Sequence, residues 1–572
     1  MPRRTASGKG FAFLMACLCL LASLFTHPLY EDVDNYSVSL VTMGLFGENG
    51  CQYTHCLLNG LLGGLSRLLP GADAFSFLGR ALVFFCFFLL LDLAGDGEKG
   101  MRSLFPAGLL CLFFSVSLPL FSANYGIQAV FFSGTGWLTL CRGIRREERP
   151  LFLCGAALFL LGLLWRLSVS LVLLPYILLD LIFTLPSASG GARRRAALRV
   201  LPVCLAALFL FGAQMVYERS PAAREGFAYD RARILLEDYP TKDWEEIAET
   251  GGSQGFTEIQ YDMARLWFLA DTERMDGALL AKMGEAGRTV QYGLGVAGFS
   301  GAARELLHFF EDERKENYAW VGGMLLLLLL TFFSGDAARS GAEAVLSAGG
   351  SVMIILGFLM LGRAPLRLLH MVFTAETLCL VRILTRAERE NGARRGKRAS
   401  RLARGALSFA LCLLLLFSIG YTLRKNGFRR PQTALLARAE SFGGGNGTGE
   451  DEGAGLTLWE DWHAGIAHAL MEKGKLPSAT LLARNLPAGD WAYGQPYFTG
   501  YLQRIGAANP AERLLDSEDA VFATNDREYL EKTLLYLSET RGRGVCALPA
   551  GEKNGIACYA LRYALAKEED MR

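Results

Sequence analysis

Three carboxylates stand close together in the segment Glu31-Asp32-Val33-Asp34. They directly follow an uncharged stretch over 11–30, which is long enough to cross a bilayer as a helix. Carboxylates at the edge of a membrane are costly to desolvate, so their presence there points to function. Glu31 and Asp32 suit a general base or the ligands of a divalent cation, and Asp34 is an additional acid. The alternative is a solvated helix end on which these acids have no chemical role.

A short segment over 57–69 follows the acids, with leucines at helical spacing on one face and small or polar residues on the other. It is too short to cross a bilayer, so an amphipathic helix lying in the membrane interface is predicted. Such a helix would hold the acidic loop where a lipid-linked substrate presents its head group. His55, just before the helix, is a further candidate for substrate contact.

Three arginines occupy short loops that the predicted topology places on the outer side, where basic residues are not expected. Arg166 interrupts an apolar run, and Arg363 and Arg367 flank another break. A guanidinium can bind phosphate through two parallel hydrogen bonds. The alternative is that these side chains extend to lipid head groups with no specific ligand.

Glu376 lies inside an apolar span, which makes it a candidate for substrate binding or for a structural pair within the bundle. The sequence contains no Walker, GxSxG, CxxC, HExxH or dinucleotide-binding pattern. This argues against an ATP-driven pump and against an enzyme with a cytosolic nucleotide-sugar domain. No nucleotide or redox cofactor and no nucleic-acid partner is predicted.

The elements that must position these residues are helices in a membrane. Of the 572 residues, 52% are hydrophobic and 20% are charged, and the mean hydropathy is +0.26. The apolar residues form blocks, which predict about eleven spans in a mainly α polytopic membrane protein. The blocks are 11–30, 75–94, 103–122, 126–141, 151–165, 168–184, 198–217, 317–333, 343–362, 365–384 and 405–423. The 151–184 run, broken at Arg166, is read as a helical hairpin.

The basic residues predict the orientation. With the N-terminus in the cytoplasm, the cytoplasmic loops and the adjoining Arg199 carry 22 Lys and Arg against 7 Asp and Glu. The first span is interpreted as an uncleaved signal anchor. An odd number of spans then places the C-terminus outside the cell membrane.

Four regions follow from this topology. Residues 1–217 form a first membrane module that contains the acidic outer loop 31–74, and 317–424 form a second module. Between them, 218–316 is an extracytoplasmic insert, with helices predicted over 222–238 and 257–287. Residues 425–572 are predicted to form a small α/β domain, with a helix near 456–473, a strand at 520–524, a helix at 527–540 and a hairpin over 545–561.

Two cysteine pairs lie outside the spans, Cys51 with Cys56 and Cys546 with Cys558. In an oxidising compartment each pair could form a disulfide, and free thiols are the equal alternative.

The ensemble resembles the GT-C superfamily of integral-membrane glycosyltransferases, and more narrowly a bacterial branch of it. The resemblance extends over nearly the whole chain. The motifs that carry it are Glu31-Asp32 through Asn59-Gly60-Leu61-Leu62-Gly63, Leu163-Leu164-Trp165-Arg166, Tyr229-Asp230-Arg231-Ala232-Arg233, Asp238-Tyr239-Pro240, Tyr261-Asp262-Met263-Ala264-Arg265-Leu266-Trp267, Gly362-Arg363-Ala364-Pro365-Leu366-Arg367 and Trp491-Ala492-Tyr493-Gly494-Gln495-Pro496-Tyr497.

The resemblance implies transfer of a sugar from a polyprenyl-phosphate carrier to a cell-envelope glycan, lipid or protein, with inversion at the sugar carbon. Glu31 or Asp32 would be the base, and the outer arginines would hold the lipid phosphate. The acid pair is Glu-Asp here rather than Asp-Asp, so which residue is the base stays open. Metal dependence is also open, with Asp32 and Asp34 as candidate ligands of Mg or Mn.

Two other functions fit the same topology. One is a polymerase or ligase of envelope polysaccharides, and the other is a flippase for lipid-linked glycans. The sequence shows no pair of Gly/Pro-broken spans in corresponding halves, which transporters often have. The sugar, the acceptor, the carrier length and the oligomeric state are not predicted.

Overall fold

Helices form most of the chain in the computed structural model. The structure describes residues 10, 12–14, 16–17, 34–47, 50–94, 124–184, 190–289, 295–311, 315–332, 337–362, 366–391, 406–407, 409–410, 413–414, 455–460, 476–553 and 555–564. The apolar part includes helices α1 to α8 and, after the insert, α14 (Lys315–Phe332), α15 (Ala337–Met360) and α16 (Leu366–Asn391). The first group is α1 (Asp34–Thr42), α2 (Cys56–Leu68), α3 (Ala74–Ala94), α4 (Tyr125–Arg146), α5 (Arg149–Trp165), α6 (Leu167–Ser170), α7 (Leu174–Thr184) and α8 (Gly190–Glu218).

Four described helices are long and apolar enough to cross a membrane: Ala74–Leu93, Arg194–Glu218, Ala338–Met360 and Leu368–Arg386. They correspond to four of the predicted spans. The total of eleven is not confirmed. The blocks at 11–30, 103–122 and 405–423 lie wholly or mostly outside the described residues. The 126–141 block does form a helix, α4, but it is not one of these four. Buried polar residues such as Gln128, Ser133 and Thr139 lower its mean hydropathy.

The closest helix contact in the bundle joins α4 and α5, which run antiparallel. Each helix carries two glycines seven residues apart, Gly136 and Gly143 on α4 and Gly155 and Gly162 on α5. A Cβ at Gly136 would lie 2.3 Å from the backbone nitrogen of Phe159, so the two backbones touch there. Small residues allow this approach, and the resulting packing is a main source of association between helices in lipid.

The predicted break at Arg166 is confirmed, but the predicted hairpin partner is wrong. Arg166 has an extended backbone with φ of −160° between α5 and the four-residue helix α6. A 3₁₀ turn over Leu171–Leu173 then leads into α7. Instead of packing along α7, α5 packs along α4, because the paired glycines favour that contact, and α7 packs against α15 (Ala337–Met360) and α16 (Leu366–Asn391).

The insert is helical, as predicted. It contains α9 (Pro221–Glu237), α10 (Trp244–Gln254), α11 (Glu258–Arg265), α12 (Gly277–Gly287) and α13 (Val296–Glu311), and α14 (Lys315–Phe332) follows it. The single helix predicted over 257–287 is in fact α11 and α12. Trp267 has a positive φ of 64° between them, a backbone conformation that ends a helix for a bulky residue.

The C-terminal part is a small α/β domain with a five-stranded sheet in the order β2-β1-β3-β5-β4. Its elements are β1 (Thr457–Trp459), α17 (Ala479–Arg484), β2 (Asn485–Pro487), α18 (Pro496–Arg504), α19 (Pro510–Asp516), β3 (Val521–Ala523), α20 (Arg527–Arg541), β4 (Val545–Lys553) and β5 (Ile556–Tyr563). The first three strands of that order are parallel, and β5 pairs antiparallel with β3 and β4.

The strand at 520–524, the helix at 527–540 and the final hairpin are confirmed. The helix predicted near 456–473 is wrong at its start, because Thr457–Trp459 is the buried strand β1, which lies between β2 and β3. Residues 461–475 are outside the part of the chain that the structure describes.

All four cysteines of the two candidate pairs are free thiols. In the hairpin, Cys546 pairs with Arg562 and Cys558 pairs with Gly551, so the register separates the two sulfurs.

The insert and the C-terminal domain pack against each other. The amides of Leu269 and Ala270 both donate to the carbonyl of Ala488, at 2.9 and 3.0 Å. Buried Asp271 accepts hydrogen bonds from Asn509 and from the hydroxyl of Tyr536. Residues 268–270 therefore run beside the end of β2, and the insert continues the core of the domain.

The glycine contact between α4 and α5 gives a first prediction. In Gly155→Ala the new Cβ would lie 2.2 Å from the backbone nitrogen of Leu140, which would force the helices apart. Overpacking of this kind costs about 1–3 kcal/mol, so we expect a lower thermal midpoint for the full chain in nanodiscs. Gly212→Ala on α8 is the matched control, because a Cβ there meets no atom within 4 Å. Equal midpoints for the two variants would contradict the close contact.

Candidate functional site

The structure describes only part of the predicted site. Glu31, Asp32 and Arg363 lie outside the described residues. Asp34 is the first residue of α1 and Arg367 is the second residue of α16, and only their backbones are described. The roles of these five residues therefore stay predictions. The described residues hold no group of three or more His, Cys, Asp or Glu placed to bind a metal, and they exclude Asp32 and the side chain of Asp34.

Arg166 is the predicted phosphate ligand whose side chain can be placed. Its guanidinium carbon lies 4.5 Å from the ring centre of Tyr125 and 5.3 Å from that of Tyr53. Such cation–π contacts are worth about 0.5–2 kcal/mol each. Within the described residues, Arg166 makes no ion pair with a carboxylate. The helix break thus presents a half-buried cation held by two aromatic rings.

Tyr53 connects Arg166 to the insert. Its hydroxyl donates to Asp230 at 3.0 Å and accepts from Arg233 at 2.8 Å. Burial by itself lowers the pKa of Arg233, but Tyr53, Glu237 and Asp230 together raise it by more, so its pKa lies above the usual value. This buried guanidinium therefore stays charged. The ring of Tyr53 also packs edge-on against Trp491 of the C-terminal domain, with centroids 4.8 Å apart.

The C-terminal domain also holds the helix that begins at Asp34. The hydroxyl of Ser37 donates to Asp490 at 2.5 Å, and the other oxygen of Asp490 accepts from the amide of Ala492. Two residues further along α1, Ser39 donates to Asp73 at 2.6 Å. The chain that follows the acidic run is therefore fixed from two sides within two turns of Asp34.

Arg166, the first loop, the insert and the C-terminal domain meet at one end of the helix bundle, which we call the loop end. The N-terminus of α4 and the C-terminus of α5 lie there, at Tyr125 and Arg166. The junction of α15 and α16 reaches it too, since a Cβ at Gly362 would lie 3.4 Å from Pro240 of the insert. That junction precedes Arg367, so the loop end also carries the start of α16.

His55 serves as a helix cap. Its Nδ1 accepts the amide of Leu57 at 3.1 Å, and its Nε2 lies 2.8 Å from the carbonyl of Leu210 on α8. Both ring nitrogens are thereby engaged, which requires the neutral tautomer with the proton on Nε2. Burial lowers the pKa of His55, consistent with a neutral ring. Its predicted contact with substrate finds no support in this arrangement.

Glu376 is fully buried and does not reach the loop end. It lies ten residues after the start of α16, about 15 Å along the helix axis. Its Oε2 accepts hydrogen bonds from Ser347 at 2.5 Å and Ser351 at 2.9 Å, both on α15. A carboxyl group enclosed between helices matches the structural alternative for Glu376, and its role as a substrate ligand stays a prediction.

Sequence reasoning missed Tyr53, Asp490 and Arg233 as residues of the site. Tyr53 and Asp230 are 177 positions apart, and Ser37 and Asp490 are 453 positions apart, so no local spacing relates them. One feature of the sequence could have pointed to Arg233: Asp230, Arg233 and Glu237 are three and four residues apart, so they share one face of α9 and can pair there.

The His55 cap gives a second prediction. Because the folded state lowers its pKa, the folded chain disfavours the proton that the unfolded chain takes up below about pH 6.5. Stability from this group is thus present at neutral pH and falls as the pH drops through that value. We expect the thermal midpoint of the wild type to fall more between about pH 7.5 and 5.5 than that of His55→Asn. Asparagine also caps helices but does not titrate in this range. An equal fall of the thermal midpoint in the wild type and in His55→Asn would contradict a neutral His55 at the cap.

Comparison with known proteins finds no matching family model, no matching curated protein and no matching solved structure.

Proposed function

We propose that this chain is an integral-membrane glycosyltransferase of the cell membrane, which moves a sugar from a polyprenyl-phosphate donor to a cell-envelope acceptor. The loop end would face the extracytoplasmic side, and the N-terminus would lie in the cytoplasm. The observation that carries the proposal is the half-buried guanidinium of Arg166, held by Tyr53 and Tyr125 without a carboxylate among the described residues. A cation held in this way suits the phosphate of a lipid donor.

The aromatic rings explain why phosphate is the favoured partner. They attract the guanidinium by their faces but cannot neutralise its charge, so an anion of the substrate completes the site. The planar guanidinium offers phosphate oxygens two parallel N–H donors, a geometry that lysine cannot reproduce. Because Tyr53 is itself fixed by Asp230 and Arg233, Arg166 has a rigid support.

The amphipathic helix α2 supports a donor embedded in lipid. It buries Leu58 and Leu62 against the protein and exposes Leu57, Leu61 and Leu68. A helix with one apolar exposed face lies in the membrane interface. A lipid-linked donor moving in that interface would carry its phosphate and sugar to the height of the loop end.

The proposed reaction is a single displacement. Glu31 or Asp32 takes the proton of an acceptor hydroxyl, and the oxygen attacks the anomeric carbon of the donor sugar. The bond from that carbon to the phosphate oxygen breaks, the configuration inverts, and polyprenyl phosphate leaves with the bonding electrons. Arg166, together with Arg363 and Arg367, would stabilise the negative charge on the leaving phosphate. Asp32 and Asp34 would hold Mg or Mn if the reaction needs a divalent cation.

The acidic run gives a third prediction. We expect Glu31→Gln or Asp32→Asn to lower sugar transfer by about 100-fold or more, because loss of a general base removes that much rate. The assay uses the full chain in nanodiscs, polyprenyl-phosphate hexoses and pentoses labelled in the sugar, and envelope membranes as acceptor. Transfer is the label that moves from the polyprenyl-phosphate donor to envelope material, separated by chromatography from the donor and from free sugar.

The control for these variants is Glu249→Gln, which changes an exposed acid of the insert. All variants must reach the membrane and elute as the wild type does. Full transfer by both Glu31→Gln and Asp32→Asn would exclude this loop as the catalytic one.

Arg166 gives a fourth prediction. In Arg166→Ala the half-saturating concentration of the lipid donor should rise about 10-fold or more, since hydrogen bonds to a charged group are worth about 1.5–3 kcal/mol. The half-saturating donor concentration of Arg166→Lys should lie between those of the wild type and Arg166→Ala, because a point charge cannot make both hydrogen bonds to the phosphate.

Arg224→Ala is the matched control, because it removes an exposed arginine from α9 in the insert, away from Arg166. Donor saturation that is unchanged in Arg166→Ala would show that the guanidinium does not bind the phosphate.

A further inference from the structure

A stripe of polar residues runs along α15 where it faces α16. Its members are Ser340, Glu343, Ser347 and Ser351, three or four residues apart and therefore on one helix face. Each has at most 2% of its surface exposed. Polar side chains at this depth need partners inside the bundle, because lipid offers none.

Two of the buried acids in this region have arginine partners. Arg382 on α16 pairs with both Asp180 on α7 and Glu343, and Arg386 pairs with the second oxygen of Glu343. The other oxygen of Asp180 accepts the indole N–H of Trp137 at 2.9 Å. Two negative and two positive charges therefore balance at this level of the bundle.

Glu376, which lies six residues before Arg382 and ten before Arg386 on α16, has hydroxyl partners instead. Ser347 and Ser351 both donate to Oε2, and the hydroxyl of Tyr176 on α7 lies 2.7 Å from that of Ser351. The second oxygen, Oε1, is buried and has no hydrogen-bond partner among the described residues. No described cation pairs with this carboxyl group.

We propose that Glu376 is a proton-binding site and holds a proton on Oε1 as a neutral carboxylic acid. Burying an ionised carboxylate without a countercharge is far more costly than binding a proton. Hydroxyl groups can donate hydrogen bonds to Oε2 but cannot cancel a charge. In the neutral acid, Oε2 is the carbonyl oxygen that accepts the two serine hydrogen bonds, and Oε1 carries the proton.

The groups packed around Glu376 leave this assignment intact. Tyr176 on α7 and Cys379 on α16 are neutral, and α14 adds no charged side chain among those described. Arg142 on α4 pairs with Asp92 on α3. The other described charged side chains of α4, α7, α15 and α16 are Asp180, Glu343, Arg382 and Arg386, which pair with one another, Arg339, which donates to the carbonyl of Phe183, and Arg145 and Arg146 at the C-terminal end of α4. His370, six residues before Glu376 on α16, is a buried titratable group.

Infrared difference spectroscopy on the full chain in nanodiscs tests the proposal independently of any sugar transfer. We expect Glu376→Gln to remove a carbonyl band of a protonated carboxylic acid at neutral pH. Glu249→Gln, which changes an exposed acid, should remove carboxylate bands instead. Loss of carboxylate bands from Glu376→Gln would overturn the proposal, and dependence of those bands on added sodium would assign a bound cation.

A second variant keeps Glu376 in place and covers the case in which Glu376→Gln fails to fold. Ser347→Ala removes one hydrogen bond to Oε2. A carbonyl that loses a hydrogen bond vibrates at higher frequency, so the acid band should move upward in this variant. The absence of an acid band in the wild type, or a band that Ser347→Ala leaves in place, would contradict the assignment.

Discussion

The hydroxyl of Tyr53 lies where three separate parts of the chain meet. It bridges Asp230 and Arg233 of the insert, while its ring contacts Trp491 of the C-terminal domain and Arg166 of the bundle. Because these groups are buried, any of them without its partner would lose the hydrogen bonds that compensate for desolvation. Tyr53 therefore joins the insert, the C-terminal domain and the bundle at the loop end, together with the contact of Ser37 with Asp490 and those of Leu269 and Ala270 with Ala488.

Burial imposes a second constraint, since charged groups inside the helix bundle need partners there. Arg142 pairs with Asp92, and Arg382 pairs with Asp180 and Glu343. These pairs join α3 to α4 and α16 to α7 and α15, so the charges also fix which helices are neighbours. Backbone contact at the glycines then sets the distance between α4 and α5.

Local pattern predicted much of this fold. The amphipathic helix at 57–69, the break at Arg166 and the terminal hairpin each follow from periodicity or turn chemistry over a few residues, and the structure has them. The strand at Thr457–Trp459 did not follow, because a three-residue strand is set by its neighbours in the sheet. For the candidate site, the sequence predicted which residue types take part but not which of them are in contact. That Arg166 would lie on Tyr53, and that Glu376 would be enclosed by serines, depends on contacts between distant segments.

The buried and half-buried arginines of the bundle and the loop end differ in their partners. Arg142, Arg233, Arg382 and Arg386 are buried or nearly so, and each touches at least one carboxylate. Arg166 contacts aromatic rings instead. A paired guanidinium has its charge cancelled within the protein, so it stabilises the fold and has little left for a ligand. A guanidinium held by rings keeps its charge while its position is fixed, which is the state that recognition of an incoming phosphate requires.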